Sequence, residues 1–132
     1  MQLSYYVNAS VTAKEVAEVF ESSGIKRPTS DLARIQQMIE AAPLLISVRD
    51  GDKLVGIARS LTDFCYCCYL SDLAVHKEYQ STGIGRELIE QTKKEIGELC
   101  SLVLLSAPEA MEYYPRVGLT SAHHAFYSPR QK

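Results

Sequence analysis

The stretch from Tyr69 to Gly97 constrains the fold of this chain more than any other. Tyr69 to Val75 (YLSDLAV) is apolar and rich in strand formers, which predicts a buried strand. Ile84, Leu88, Ile89, Lys93 and Ile96 recur at helical spacing with charges on the other face, which predicts a helix over 83–97. Between the two lies Gln80-Ser81-Thr82-Gly83-Ile84-Gly85, a tight glycine-containing turn at a helix start. The first amides of a helix lack intrahelical acceptors and point outward together at the positive end of the macrodipole. Gly83 and Gly85 remove side chains there, so a phosphate can approach the backbone closely. Ser81 and Thr82 add hydroxyls and Arg86 adds a full charge, and the expected ligand is a pyrophosphate. A Walker A loop is excluded, because no Lys-Ser or Lys-Thr follows the glycines. The dinucleotide fingerprint fits poorly as well, because Leu88 stands where a third glycine is needed.

The rest of the chain supplies the setting. Gln2 to Asn8 reads as an opening strand, and Thr12-Ala13-Lys14-Glu15 fits a capping box for a helix over 12–22 that stops at Gly24. Thr29 or Ser30 is expected to cap a second helix, whose buried face is Leu32, Ile35, Met38 and Ile39 and which ends at Pro43. Leu44–Arg49, Lys53–Thr62 and Tyr66–Val75 read as three strands joined by short turns, hence an antiparallel meander. After the crossover helix, Ser101–Ser106 reads as a buried parallel strand. Pro108 opens a short helix carrying Met111, Tyr113 and Tyr114, and Leu119–Tyr127 reads as a last strand. The expected fold class is α/β: one domain over 1–132, with a mixed sheet flanked by about four helices.

Composition narrows the function. At 132 residues, 46% hydrophobic and 23% charged, the chain suits one soluble globular domain. A net charge of −2 gives no footprint for nucleic acid. No apolar run approaches a membrane span and MQLSYYVNAS does not read as a signal peptide, so a cytoplasmic location is expected. The chain has four cysteines, Cys65, Cys67, Cys68 and Cys100, and the three on the strand, Cys65, Cys67 and Cys68, read as small buried thiols of a reducing compartment. A metal site made with His123 and His124 is not expected. No paired C-x-x-C spacing exists, and adjacent histidines face opposite ways on a strand.

The longer pattern, D-L-A-V, then Tyr79, then Gln80-x-x-Gly83-x-Gly85 and Arg86, resembles the acyl-CoA-binding motif of the GNAT superfamily of N-acyltransferases, (Q/R)-x-x-G-x-(G/A) after a strand. Tyr113-Tyr114-Pro115-Arg116-Val117-Gly118-Leu119 is similar to that superfamily's later aromatic-Tyr-x-x-x-Gly-aromatic segment, with Leu119 in place of the usual Phe. The resemblance implies transfer of an acetyl group from acetyl-CoA, as cosubstrate, to a primary amine of a small molecule or peptide. It implies two parallel central strands that splay apart, Leu70–Val75 and Ser101–Ser106, with the pantetheine arm in the gap. The donor-binding set would be Leu73, Ala74, Val75, Gln80, Ser81, Thr82, Gly83, Ile84, Gly85 and Arg86, with pantetheine bonded by the backbone of Leu73 and Val75. Tyr114 would be the proton donor to the departing thiolate. Members of the superfamily are often dimers, so a homodimer is one expected state.

The general base is open at this stage. The glutamate that some members use falls near Tyr69 or Leu102, neither of which is a carboxylate. Asp72, His76, Glu109, Glu112 or a water chain remain. Arg27, in the basic Lys26-Arg27-Pro28 loop on the acceptor side, is expected to be solvated surface, the alternatives being contact with an acceptor carboxylate or a place lining the mouth. The missing base also motivates an alternative, a non-catalytic acyl-CoA-binding regulatory domain.

Overall fold

The computed structural model describes residues 1–132. Five strands form one sheet in the order of the chain: β1 Leu3–Val7, β2 Leu44–Asp50, β3 Lys53–Thr62, β4 Cys67–Val75 and β5 Ser101–Val103. The first four are antiparallel, and β5 runs parallel to β4 after the crossover through helix α3, Ile84–Ile96. Helices α1 (Ala13–Ser23) and α2 (Leu32–Ala41) join β1 to β2, and a short α4 (Tyr113–Arg116) follows β5. The mixed α/β fold and its meander therefore match the expectation.

Covering both faces of the sheet explains why β2 and β3 are continuous apolar runs rather than alternating ones. On one face Leu44, Ile46, Val48, Ala58 and Leu70 pack against Ile84, Leu88 and Ile89 of α3. On the other, Leu45, Ile57 and Ala74 pack against Val16, Val19 and Phe20 of α1 and Ile35 of α2. The capping box of α1 forms as its sequence dictates: Glu15 N–H donates to Thr12 Oγ1 and Thr12 N–H to the Glu15 carboxylate. Helix α2 is capped by Asp31, which accepts from Arg34 N–H, and not by Thr29 or Ser30. Residues 28–31 form a turn of their own before the helix, with Asp31 N–H donating to the Pro28 carbonyl.

Two sequence expectations fail at the chain's last third. The parallel strand stops at Val103 instead of reaching Ser106, and it is an edge strand with Ser101 and Val103 exposed. Leu119–Tyr127 forms no strand; it is irregular, with a turn at His123-His124 and every residue exposed from Ser121 onward. A strand needs a neighbour to take its amides. This segment has none in the single chain, and its Ser-Ala-His-His run offers no apolar face for the core.

Candidate active site

The site begins with an irregularity in β4. Arg59 pairs with Asp72 and Ser60 with Leu70, which leaves Ser71 without a partner: a β-bulge. The extra residue reverses which amides face which neighbour. Before it, the Cys67 carbonyl faces β3, accepting from Asp63 N–H, and the Tyr66 carbonyl faces β5, accepting from Ser101 N–H. After it, His76 N–H donates to the Val55 carbonyl of β3, so alternation turns the amides of Leu73 and Val75 away from β3. Pairing with β5 has already ended at Tyr69–Val103. Leu70 to Val75 therefore borders an opening, with the backbone of Leu73 and the amide of Val75 turned into it and the Val75 carbonyl held by Gln80 Nε2. This is the splay that the resemblance implied, and the bulge gives it a mechanism.

Charge holds the bulge. The Asp72 carboxylate is fully buried and takes Arg27 Nε at 2.5 Å on one oxygen and Arg59 Nε on the other. Arg27 Nη2 also donates to the Ser71 carbonyl (2.8 Å), and Arg59 Nη2 to Ser71 Oγ (3.2 Å). Arg59 Nη1 reaches the Met38 carbonyl of α2 (3.1 Å). Burying a carboxylate is tolerable only with such partners. Asp72 is thus a structural anion and not a free base, and Arg27 is a strut between the 24–31 loop and β4 rather than solvated surface. Sequence reading missed this pair, although a signal was present: single opposite charges inside two neighbouring buried strands, Arg59 in LVGIARSL and Asp72 in YLSDLAV.

The glycine turn lies beyond the C-terminal end of β4. Ser81 and Gly83 both take positive φ (64° and 88°), and Gly83 is the N-cap of α3, with open space where a Cβ would stand. No side chain caps the helix, so its first amides are open to a ligand. The polar side chains expected there are partly engaged. Thr82 Oγ1 donates to the Tyr79 carbonyl (2.5 Å), Gln80 Nε2 to the Val75 carbonyl (2.9 Å), and Arg86 Nη2 to the Arg116 carbonyl at the end of α4 (3.0 Å). Gln80 therefore braces the turn against β4, and Arg86 ties α4 to α3. The side chains of Ala74 and Ile84 are buried in the two cores, so only their backbones can serve a ligand.

Gly85 has a reason of its own. A Cβ there would lie 2.5 Å from the Tyr113 hydroxyl, so the phenol rests against the first turn of α3. Tyr113 packs edge-on to Tyr114, with centroids 5.2 Å apart and planes at 76°. Both rings are half-buried and pack against the α3-side core. Burial pushes the Tyr114 phenol above its ordinary pKa, Tyr113 adds to the rise, and the Arg27 charge opposes it. The Tyr113 phenol is also raised by burial and is opposed by Arg86. Tyr114 stays protonated at neutral pH, the state a donor requires.

The remaining candidates do not gather around Tyr114 as a base. His76 Nδ1 accepts from Glu78 N–H and caps the 3-10 turn Lys77–Tyr79. Glu109 and Glu112 are exposed, in the turns that lead into α4. Of the cysteines only Cys68 is buried; Cys65 and Cys67 are exposed at the β3–β4 hairpin and Cys100 is half-buried, which corrects the expectation of a buried set. Hairpin geometry explains it, since Asp63 accepts from the amides of Cys65, Tyr66 and Cys67 and turns that tip outward. No group of His, Cys, Asp and Glu is placed to hold a metal.

The family profile of the acetyltransferase (GNAT) domain matches residues 7–128. The chain belongs to the GNAT acetyltransferase family. A similar relative of this GNAT chain is the uncharacterised N-acetyltransferase ycf52 of Pyropia yezoensis, 25% identical over 118 residues, which are 84% of this chain and 66% of that protein. Another is the chloroplastic GCN5-related N-acetyltransferase 1 of Arabidopsis thaliana, 24% identical over 81% of this chain and 55% of its own length. The GNAT chain spans less than two thirds of the length of these relatives. Among solved structures, a protein of unknown function from meticillin-resistant Staphylococcus aureus (SA2161) shares the fold with a TM-score of 0.85, at 18% identity and 99% coverage of both chains. The GNAT family protein SP0256 of Streptococcus pneumoniae does so with 0.78, at 18% identity, over 98% and 100% of the two chains.

Proposed function

We propose that this GNAT domain is an N-acetyltransferase that moves an acetyl group directly from acetyl-CoA to a primary amine of a small molecule or peptide. The observation that carries the reading is the bulge-turned opening of β4, which ends at an uncapped helix N-terminus. In this reading the outward amides of Leu73 and Val75 bind the pantetheine arm like a short added strand. The amides of Gly83, Ile84 and Gly85 take the pyrophosphate, with the Ser81 hydroxyl and the Arg86 charge beside them. The hydroxyl of Thr82 and the amide of Gln80 act indirectly, by fixing the turn.

The chemistry needs three things from the chain. Backbone N–H donors aimed at the thioester oxygen stabilise the tetrahedral oxyanion, an effect worth about 3–4 kcal/mol per donor. Tyr114 donates to the sulfur as the carbon–sulfur bond breaks. Its phenol lies above the ordinary tyrosine value, and so further above a thiol, which makes it a hydrogen-bond donor to the thiolate more than a full proton source. The amine is already neutral when it attacks or loses its proton to water, because Asp72 is locked by two arginines. A reducing, cytoplasm-like compartment suits the four free thiols and is part of the proposal.

The test is release of free CoA thiol from acetyl-CoA with a panel of amines. Turnover on at least one amine is expected, and Tyr114→Phe should lower kcat about 100-fold with acetyl-CoA affinity and melting temperature nearly unchanged. Tight acetyl-CoA binding without release on any amine would overturn catalysis and leave the acyl-CoA-binding regulatory reading. Near-normal turnover by the Phe variant would remove Tyr114 from the mechanism.

A further inference from the structure

The clamp that holds the β4 bulge is not neutral. Arg27 and Arg59 supply two guanidinium charges and Asp72 supplies one carboxylate, so one positive charge is left over. Neither arginine pairs with a second carboxylate; the other ion pair of the chain, Arg49 with Glu15, joins β2 to α1. The acidic residues nearest to Arg27 in the chain are engaged elsewhere, Glu21 with the Thr29 hydroxyl and Asp31 with the Arg34 amide at the start of α2. A surplus charge on a partly buried group is costly unless water or an anion meets it.

The surplus meets solvent at one residue. The Asp72 side chain is 0% exposed and that of Arg59 9%, whereas that of Arg27 is 29% exposed. A guanidinium has five N–H donors, and Arg27 uses three: Nε to Asp72, Nη1 to the Lys26 carbonyl (2.7 Å) and Nη2 to the Ser71 carbonyl (2.8 Å). One N–H on each terminal nitrogen remains. Two N–H groups of one guanidinium are what a carboxylate takes as a fork. The existing bonds already fix the side chain, so little rotamer freedom is left to lose on binding.

The location suits an acceptor. Arg27 is bonded to Ser71 and Asp72, within the stretch of β4 that borders the opening. Its charge reaches the Tyr114 phenol, and the one other ionisable group that acts on that phenol is Tyr113. The proposed transfer centre thus faces an arginine and no carboxylate. Such surroundings oppose a polycationic amine and favour one that brings its own negative charge.

We propose that Arg27 anchors the acceptor through its two remaining N–H groups, which take a carboxylate carried by the amine, so that the acceptor is a small amino acid rather than a polyamine. This rests on the acetyltransferase reading above and narrows its amine to one chemical class.

The test has two arms. In the first, CoA release from acetyl-CoA is measured with glycine, β-alanine and 4-aminobutyrate, each beside its own primary amide. At least one acid should be preferred over its amide about 10- to 100-fold in kcat/KM, the spacing of amine and carboxylate deciding which. The amide's amine is the less basic of each pair, so its larger neutral fraction works against this preference. Arg27→Lys keeps the charge but not the fork and should cut the ratio about 10-fold. A purely structural loss would lower both rates and leave the ratio. Lys26→Ala, at the exposed neighbour, should leave the ratio intact. In the second arm, titration calorimetry with CoA present compares the N-acetyl derivatives of the acids with those of the amides, which needs no turnover. Tighter binding of an acid, lost in Arg27→Lys, supports the site even where no amine is acetylated, and then only the enzymatic reading falls. Acetylation of amines without preference for an acid overturns the carboxylate site and leaves the enzyme. So does a preference that Arg27→Lys leaves whole or that Lys26→Ala removes equally, and so does the absence of any acid preference in both arms.

Discussion

Gly83 offers a clean separation of strain from charge at the proposed pyrophosphate site. Its φ is +88°, and a Cβ there would meet nothing within 4 Å. Any L side chain therefore costs backbone strain without a clash, about 1–2 kcal/mol. With an unfolding entropy of about 2.1 cal/mol/K per residue, each kcal/mol lowers the melting temperature of a 132-residue chain by about 4 °C. Gly83→Ala and Gly83→Asp should thus share a drop of about 4–7 °C. They should part company on acetyl-CoA. Unlike charges elsewhere, a carboxylate here opposes phosphate. Two like unit charges about 5 Å apart cost about 0.8 kcal/mol in water and about 3 kcal/mol at the effective dielectric of a protein surface. The Asp variant should then bind acetyl-CoA about 4- to 200-fold more weakly than the Ala variant, and added salt should narrow the gap. Titration calorimetry on both proteins reads the difference. Equal affinities at low salt would refute the placement of the pyrophosphate at this helix end.

Other consequences follow from the same geometry. Arg59→Ala removes one of two guanidinium partners from the fully buried Asp72, which should cost about 3 kcal/mol and about 10 °C in melting temperature; a loss below about 1 kcal/mol would deny the clamp its role. Gly85→Ala should destabilise the native chain through the Tyr113 hydroxyl but stabilise a Tyr113→Ala background by up to about 1 kcal/mol, since only the gain in helix propensity remains. A double-mutant cycle by denaturant unfolding measures that change of sign. Asp63 accepts three backbone amides, which hold its carboxyl far below the ordinary range. Because the folded pKa is depressed, its contribution is complete above about pH 4 and fades as pH falls through the folded value. Asp63→Asn should therefore flatten the acid limb of the stability profile, and an unchanged limb would count against the hairpin-tip assignment.

The elements that local chemistry dictates were legible in the residues. The capping box at Thr12–Glu15, the amphipathic face of α3, the strands β2 and β3 and the glycine turn all depend on neighbours within a few positions. So was the family resemblance, because the Gln80–Arg86 and Tyr114–Gly118 motifs are contiguous. Tertiary structure decided what depends on partners distant in sequence. The bulge at Ser71, which turns Leu73 and Val75 toward the opening, exists only through the register with β3 and the hold of Arg27 and Arg59, 44 and 12 residues away. The same holds for Gly85, whose small size answers to Tyr113, and for Asp72, which pairing converts from candidate base to buried counter-ion. Leu119–Tyr127 shows the limit from the other side. Strand propensity is a property of the segment, but a strand is a property of a pair, and within one chain this segment has no second member.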